Sequence, residues 1–245
     1  MIDSHCHLDD PRLDACRGET LERARRAGVT CFVVAGTGAG EWPRLQQLCR
    51  EEAGIHAAYG IHPWYCDRHQ PRHLEDLDAL LDGAIALGEC GLDATQGKPD
   101  ADTQLWWLRR QLALAAERRL PVILHCVRST MPLLTELHGF PELRGVVHGF
   151  GGSLEEARQF TMLGFHIGIG AMVLRERASK AHRLAAGLPL AHLMLETDAP
   201  DGLPGELNEP ANLPRIADTV AALRGQPASA IIAASDANTT ELFRL

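Results

Sequence analysis

The sequence predicts an α/β protein, a single-domain (β/α)8 TIM barrel over residues 1–245. Three observations carry this. Eight short apolar, β-branched runs recur along the chain, amphipathic stretches separate them, and the length suits eight such repeats. The competing architecture, a doubly wound open sheet, lacks its signature, since no GxGxxG follows the first run.

The runs lie at 1–5, 31–35, 55–60, 84–88, 122–125, 146–148, 165–169 and 193–196. Behind the first two, "TLERARRAG" and "EWPRLQQLCREEAG" read as helices, each closing on a glycine suited to a C-cap. "DTQLWWLRRQLALAAERRL" is the clearest helix. Leu105, Leu108, Leu112 and Ala115 recur at helical spacing, with Asp102 placed to cap its start. "SLEEARQFTMLG" opens with Ser153 and Glu156 in capping-box spacing, and "NEPANLPRIADTVAALRG" supplies a late helix. No linker, low-complexity tract or repeat divides the chain. "ATQGKPDAD" and "APDGLPGELNEP" are loop-like and follow strands, on the rim where a barrel carries its functional loops.

Hydrophobic content of 45% and charged content of 23% are those of a globular protein with a real core. No stretch approaches the roughly 20 apolar residues of a membrane span, and no signal peptide is evident. Seven cysteines without a CxxC pair do not make a disulfide framework, so a reducing cytoplasm is expected. A net charge of −8 argues against wrapping a long nucleic acid, which needs many cationic contacts to phosphate. The sequence leaves the oligomeric state open and is compatible with a monomer.

His5 and His7 stand two apart in "MIDSHCHLDD", so on a strand they project to one side. Glu89 follows the fourth run, His125 ends the fifth, His148 follows the sixth and Asp198 follows the eighth. In a barrel these ends share one rim. A carboxylate placed directly after an apolar run must be paired or bind a cation. Four imidazoles and two carboxylates exceed what one tetrahedral ion uses, so the set divides between two divalent ions that share Glu89. Such a pair activates water for displacement at phosphorus. The mixed nitrogen and oxygen donors suit Zn2+, Mn2+ or Co2+ better than Mg2+, without choosing among them. His62, in "GIHPW", is a turn residue or a substrate-phosphate contact. His56, His166 and His192 begin strands on the opposite rim, and His69, His73, His138 and His182 fall in loops or helices; all seven read as structural. Cys6, Cys90 and Cys126 each adjoin a candidate ligand and are expected to face away, as small buried apolar groups.

The ordered set "DSHCHLD", "GIHPW", "GECGLD", "LHCVRS", "HGFGGS", "LETDAP" and "NEPANL" resembles the TatD-type metal-dependent deoxyribonucleases, from residue 2 to the closing "NTTELFRL". The resemblance implies a barrel of the amidohydrolase superfamily and metal-dependent phosphodiester hydrolysis, often at 3′ ends. It also implies that His5, His7, Glu89 and Asp198 hold one ion and Glu89, His125 and His148 the other. Asp198 would then orient or deprotonate the attacking water. Arg128, in "HCVRS", becomes a candidate phosphate contact or a rim salt bridge. Asp93 would orient a ligand or cap a loop, and Glu196 would support Asp198.

The chain departs from the pattern where "ATQGKPD" follows "GECGLD" and "DGLPGE" follows "ETDAP". Expected partners are DNA ends, short oligonucleotides or other small phosphodiesters. The alternative is hydrolysis of a non-nucleic-acid phosphoester, amide or ester. Many such sites bridge their metals with a carboxylated lysine, but neither Lys98 nor Lys180 lies at a strand end.

Overall fold

The computed structural model describes residues 1–203, 205 and 207–245. Eight parallel strands follow one another around the sheet in chain order. They are β1 (Ile2–Cys6), β2 (Cys31–Ala35), β3 (Ile55–Tyr59), β4 (Ala86–Asp93), β5 (Val122–Val127), β6 (Gly145–Val147), β7 (Phe165–Ile169) and β8 (Leu193–Leu195). Helices pack outside: α1 (Arg17–Arg26), α2 (Trp42–Glu51), α3 (His73–Leu80), α4 (Ala101–Arg118), α5 (Thr130–Leu137), α6 (Leu154–Met162), α7 (Ser179–Gly187), α8 (Leu213–Arg224) and α9 (Ala228–Phe243). The predicted (β/α)8 barrel is the observed fold.

Alternation along the strands separates two cores. Outward residues such as Phe32, Leu87, Leu124 and Ile167 pack with the helices, and Cys6, Cys90 and Cys126 belong to this layer, as expected. Inward residues Val33, Ala58, Ala86, Ile123, Val146 and Met194 fill the lower barrel, where Phe243 of α9 joins them.

The seam between β8 and β1 carries no ladder of its own. At its lower end α9 supplies the partners: Asp236 accepts from the Ile2 N–H at 2.9 Å, and Ser235 Oγ accepts from the Leu195 N–H at 2.7 Å. At its upper end the top of β1 and the residue just past it meet the backbone beyond β8. Asp198 N–H donates to the His5 carbonyl (3.0 Å) and His7 N–H to the Ala199 carbonyl (2.6 Å).

Several boundaries differ from expectation. The fourth strand runs on to Asp93, because a register shift between Leu87 and Cys90 breaks the apolar pattern without ending the strand. Asp100, not Asp102, caps α4, accepting from the Thr103 N–H at 2.9 Å. The capping box at Ser153 and Glu156 is present. Gly28 follows the C-cap of α1, but α2 ends at Glu51, three residues before Gly54. Helices α3, α5, α7 and α9 have no clear pattern in the sequence: three span eight or nine residues, and in α9 Ser, Thr, Asp and Asn break up the apolar stripe among its alanines.

Candidate metal centre

β1 aims His5 inward, and the chain just beyond it aims His7 the same way. The shift inside β4 turns Glu89 into the barrel, and with it Gly91 and Asp93. Gly91 has φ +144°, and a Cβ there would lie 2.0 Å from the His125 carbonyl, so only glycine lets β4 approach β5 this closely. His125 comes from β5, His148 directly follows β6, and Asp198 lies three residues past β8 in a left-handed conformation (φ +60°). All six predicted ligands meet at the C-terminal mouth of the barrel.

They meet as two sets around Glu89. Its Oε2 lies 3.3 Å from His5 Nε2 and 3.4 Å from His7 Nε2. Asp198 Oδ1 lies 3.5 and 3.6 Å from the same two nitrogens, which are 3.2 Å apart. These spacings fit the edges, about 3.3 Å, of a tetrahedron around a cation with bonds of about 2.0–2.1 Å. Glu89 Oε1 faces the other set, 2.8 Å from His125 Nδ1 and 2.7 Å from His148 Nε2, which are 3.3 Å apart. His62 Nε2 stands in this second set too, 3.0 Å from Oε1 and 3.2 Å from His125 Nδ1.

Glu89 is 1% exposed, and its Oε2 has no hydrogen-bond donor. A buried carboxylate oxygen left this way is costly, and a cation among the imidazoles satisfies it. The donor chemistry and the spacing therefore fit a bound metal. Other groups fix the rings. His7 Nδ1 bonds the Ala35 carbonyl at 2.8 Å, His125 Nε2 bonds Asp93 Oδ2 at 3.0 Å, and His148 stacks on His5 with centroids 3.8 Å apart.

The electrostatics favour cation binding. Burial alone would raise Glu89, but the imidazoles of His148 and His62, with hydrogen bonds from His125 and His148, hold it well below the usual carboxylate range. Asp198 is likewise held down against burial by hydrogen bonds from His5 and His7. Burial lowers His148 to about 4 and also lowers His62, so both are neutral donors at pH 7. Burial opposes protonation of His125, yet its bonds to Asp93 and Glu89 raise it to about 9. His5 is raised against burial chiefly by Asp198 and Glu89, and His7 by Asp198. Protons on these three rings stand in for positive charge that a metal would bring.

Asp93 plays both roles foreseen for it: Oδ2 holds His125 and accepts from Trp64 Nε1 (2.6 Å), and Oδ1 accepts from the Thr95 N–H (2.8 Å). Glu196 lies beneath His148, accepting from the Gly149 N–H. Arg128 is exposed, with φ +53°, and does not line the cavity above the ligands. Asp3 escaped notice, although its buried carboxylate accepts from both Thr197 N–H (2.9 Å) and Thr197 Oγ1 (2.5 Å), tying β1 to the loop that carries Asp198. Its only signal was its place in the inward alternation with His5 and His7.

The ligands form the floor of a cavity of about 540 Å3. Its walls mix aromatic Trp64 and Tyr65 with Arg68, His69 and His73, and with acidic Asp9, Asp10, Glu41 and Asp201. Arg12, also on the wall, is bound by Asp10 (2.7 Å) and Asp201 (2.6 Å). His69 keeps its structural bonds to Tyr65 and Ala39 while lining the mouth.

A family model described as "TatD related DNase" matches residues 2–244. The "Uncharacterized metal-dependent hydrolase YjjV" of Escherichia coli (strain K12) is 40% identical, over 100% of this chain and 98% of its own length. The crystal structure of that E. coli K12 homologue superposes with a TM-score of 0.94 at 39% identity, again covering 100% of this chain and 98% of the other. The "3'-5' ssDNA/RNA exonuclease TatD" of Erwinia billingiae (strain Eb661) is 34% identical, over 100% of this chain and 99% of its own. With the fold, the clustered donors and these full-length matches together, the chain belongs to the TatD family of metal-dependent hydrolases.

Proposed function

We propose that this protein hydrolyses phosphodiester bonds at the ends of single-stranded nucleic acid, using two divalent cations that share Glu89. The observation that carries this reading is the division of the donors: the two oxygens of one buried carboxylate face different imidazoles, Oε2 those of His5 and His7 and Oε1 those of His125 and His148. His5, His7, Asp198 and Glu89 Oε2 would hold one ion, and Glu89 Oε1, His125 and His148 the other, with His62 within reach of the second. Paired cations supply an activated water at neutral pH and screen charge on the phosphoryl oxygens.

The chain's own groups do the rest. Asp198, held ionised and open to the cavity, orients the water and accepts its proton. Arg68, with its guanidinium over Tyr65 (4.9 Å), has a place on the wall to meet a phosphate. The acidic rim and the net charge favour a short end over a long duplex. The exonuclease name of the Erwinia relative supports nucleic acid as the substrate, and seven free cysteines support a reducing compartment such as the cytoplasm. Among the described residues no helix is long and apolar enough to cross a membrane.

Oligonucleotides labelled at either end, incubated with Mn2+ or Mg2+, test the proposal. Stepwise release from one end is expected, and Asp198→Asn should reduce turnover by about 100-fold or more. Internal cleavage of long duplex would contradict end preference. Turnover confined to amides, carboxyl esters or phosphate monoesters would replace the nuclease reading with the alternative hydrolase.

A further inference from the structure

A second cavity, about 300 Å3, opens beside the metal centre between the loops that follow β6, β7 and β8. Asp198 lines both this cavity and the larger one. Its character is different. Phe150, Ile169, Met172, Leu184 and Leu203 make apolar walls, with the cation Arg175 among them. At its base lies Glu196, which is fully buried and whose Oε2 has no hydrogen-bond partner. Gly168 makes room for that carboxyl: a Cβ there would stand 2.1 Å from Oε2.

We infer that this cavity seats the terminal nucleobase of a strand whose last phosphodiester lies at the metal centre; the inference rests on the phosphodiesterase reading above. A nucleobase has flat apolar faces and an edge bearing N–H donors. The cavity offers apolar walls for the faces and, for the edge, Arg175 in its lining with the Glu196 carboxyl beneath its floor. It has the volume of a small ligand pocket and holds a single heterocycle, whereas the continuing, charged strand finds polar walls and Arg68 in the larger cavity. The larger cavity is the poorer seat for that base. Its exposed ring, Trp64, already carries Lys98 Nζ 3.3 Å from its centroid. Met172, exposed at the lip of the small cavity, can adapt to purine or pyrimidine.

The experiment compares Mn2+-loaded protein on oligonucleotides whose terminal nucleotide, at either end, is base-bearing or abasic. The wild type should release the base-bearing terminus with kcat/KM about tenfold higher. Ala181→Phe projects into the cavity from α7 and replaces no metal ligand. It should bring the base-bearing rate down to the abasic rate, leaving the abasic rate and metal content unchanged. Met172→Trp fills the cavity from its other side and should do the same, should Ala181→Phe fail to fold. Equal rates on both termini by the wild type, with hydrolysis of both, would overturn this inference alone. A base preference that survives cavity filling would also overturn it. Hydrolysis of neither would overturn the phosphodiesterase reading, and this inference with it.

Discussion

Glu89 is placed so that each oxygen serves a different set of imidazoles. Removing it should therefore not act like removing one ligand. Glu89→Ala is expected to lose both ions, read as metal per protein by plasma mass spectrometry after desalting, whereas Cys6→Ala should retain them because its thiol packs against the helices. Retention of two ions by Glu89→Ala would refute the sharing. The six candidate ligands were legible in the sequence because each is a carboxylate or imidazole at a strand end, where a barrel topology dictates the neighbours. Arg128 shows where such reading stops. A left-handed residue after β5 carries its side chain outward, and no alternation pattern encodes one such turn. His62 is the turn residue that its place in "GIHPW" suggests, its Nδ1 accepting from the Trp64 N–H (3.0 Å) and its carbonyl from the Tyr65 N–H (3.0 Å). Its Nε2 also sits 3.0 Å from Glu89, which spacing along the chain does not reveal.

At the scale of elements, the strands were more legible than the helices. A buried parallel strand is a continuous apolar run, as in β2 (CFVVA), which matches its predicted limits residue for residue. β7 (FHIGI) matches too, its apolar Phe165, Ile167 and Ile169 alternating with His166 and Gly168. β4 does not, because its upper half is given over to Glu89, Gly91 and Asp93, residues chosen for the site rather than for strand formation. α9 was invisible for a related reason: Ser235, Asp236 and Asn238 are poor helix formers, but they satisfy the strand ends at the seam. This helix also closes the barrel floor with Phe243, which is 3% exposed among Val33, Ala58 and Met194. Phe243→Ala should cost about 3–5 kcal/mol of stability, measured by denaturant unfolding, while metal content at 20 °C stays intact. Loss of metal without loss of stability would show that the floor and the mouth are not separate in this way.

Across the whole molecule, the mouth holds the chemistry and the opposite rim holds structure. His166, at the start of β7, lies beside His192, with ring centroids 5.8 Å apart, and its Nδ1 is buried without a partner. Burial first, and His192 second, lower it to about 4. The fold thus favours the neutral ring. Its contribution is complete above about pH 6.5 and is lost as pH falls from there toward 4. The loss should reach about 2 kcal/mol, allowing for partial exposure. Comparing Tm for wild type and His166→Gln between pH 7.5 and 4.5 checks this: the variant should lose less on acidification, and parallel curves would dismiss the effect. The seam has a consequence of another kind. Its upper bonds run from Asp198 to His5 and from His7 to Ala199, joining residues nearly two hundred positions apart. During synthesis the earliest donors must wait for almost the whole polypeptide to emerge before their counterparts exist. A half-made chain therefore lacks the complete donor set, and a cation bound there would clasp both edges, the rivet that finishes assembly.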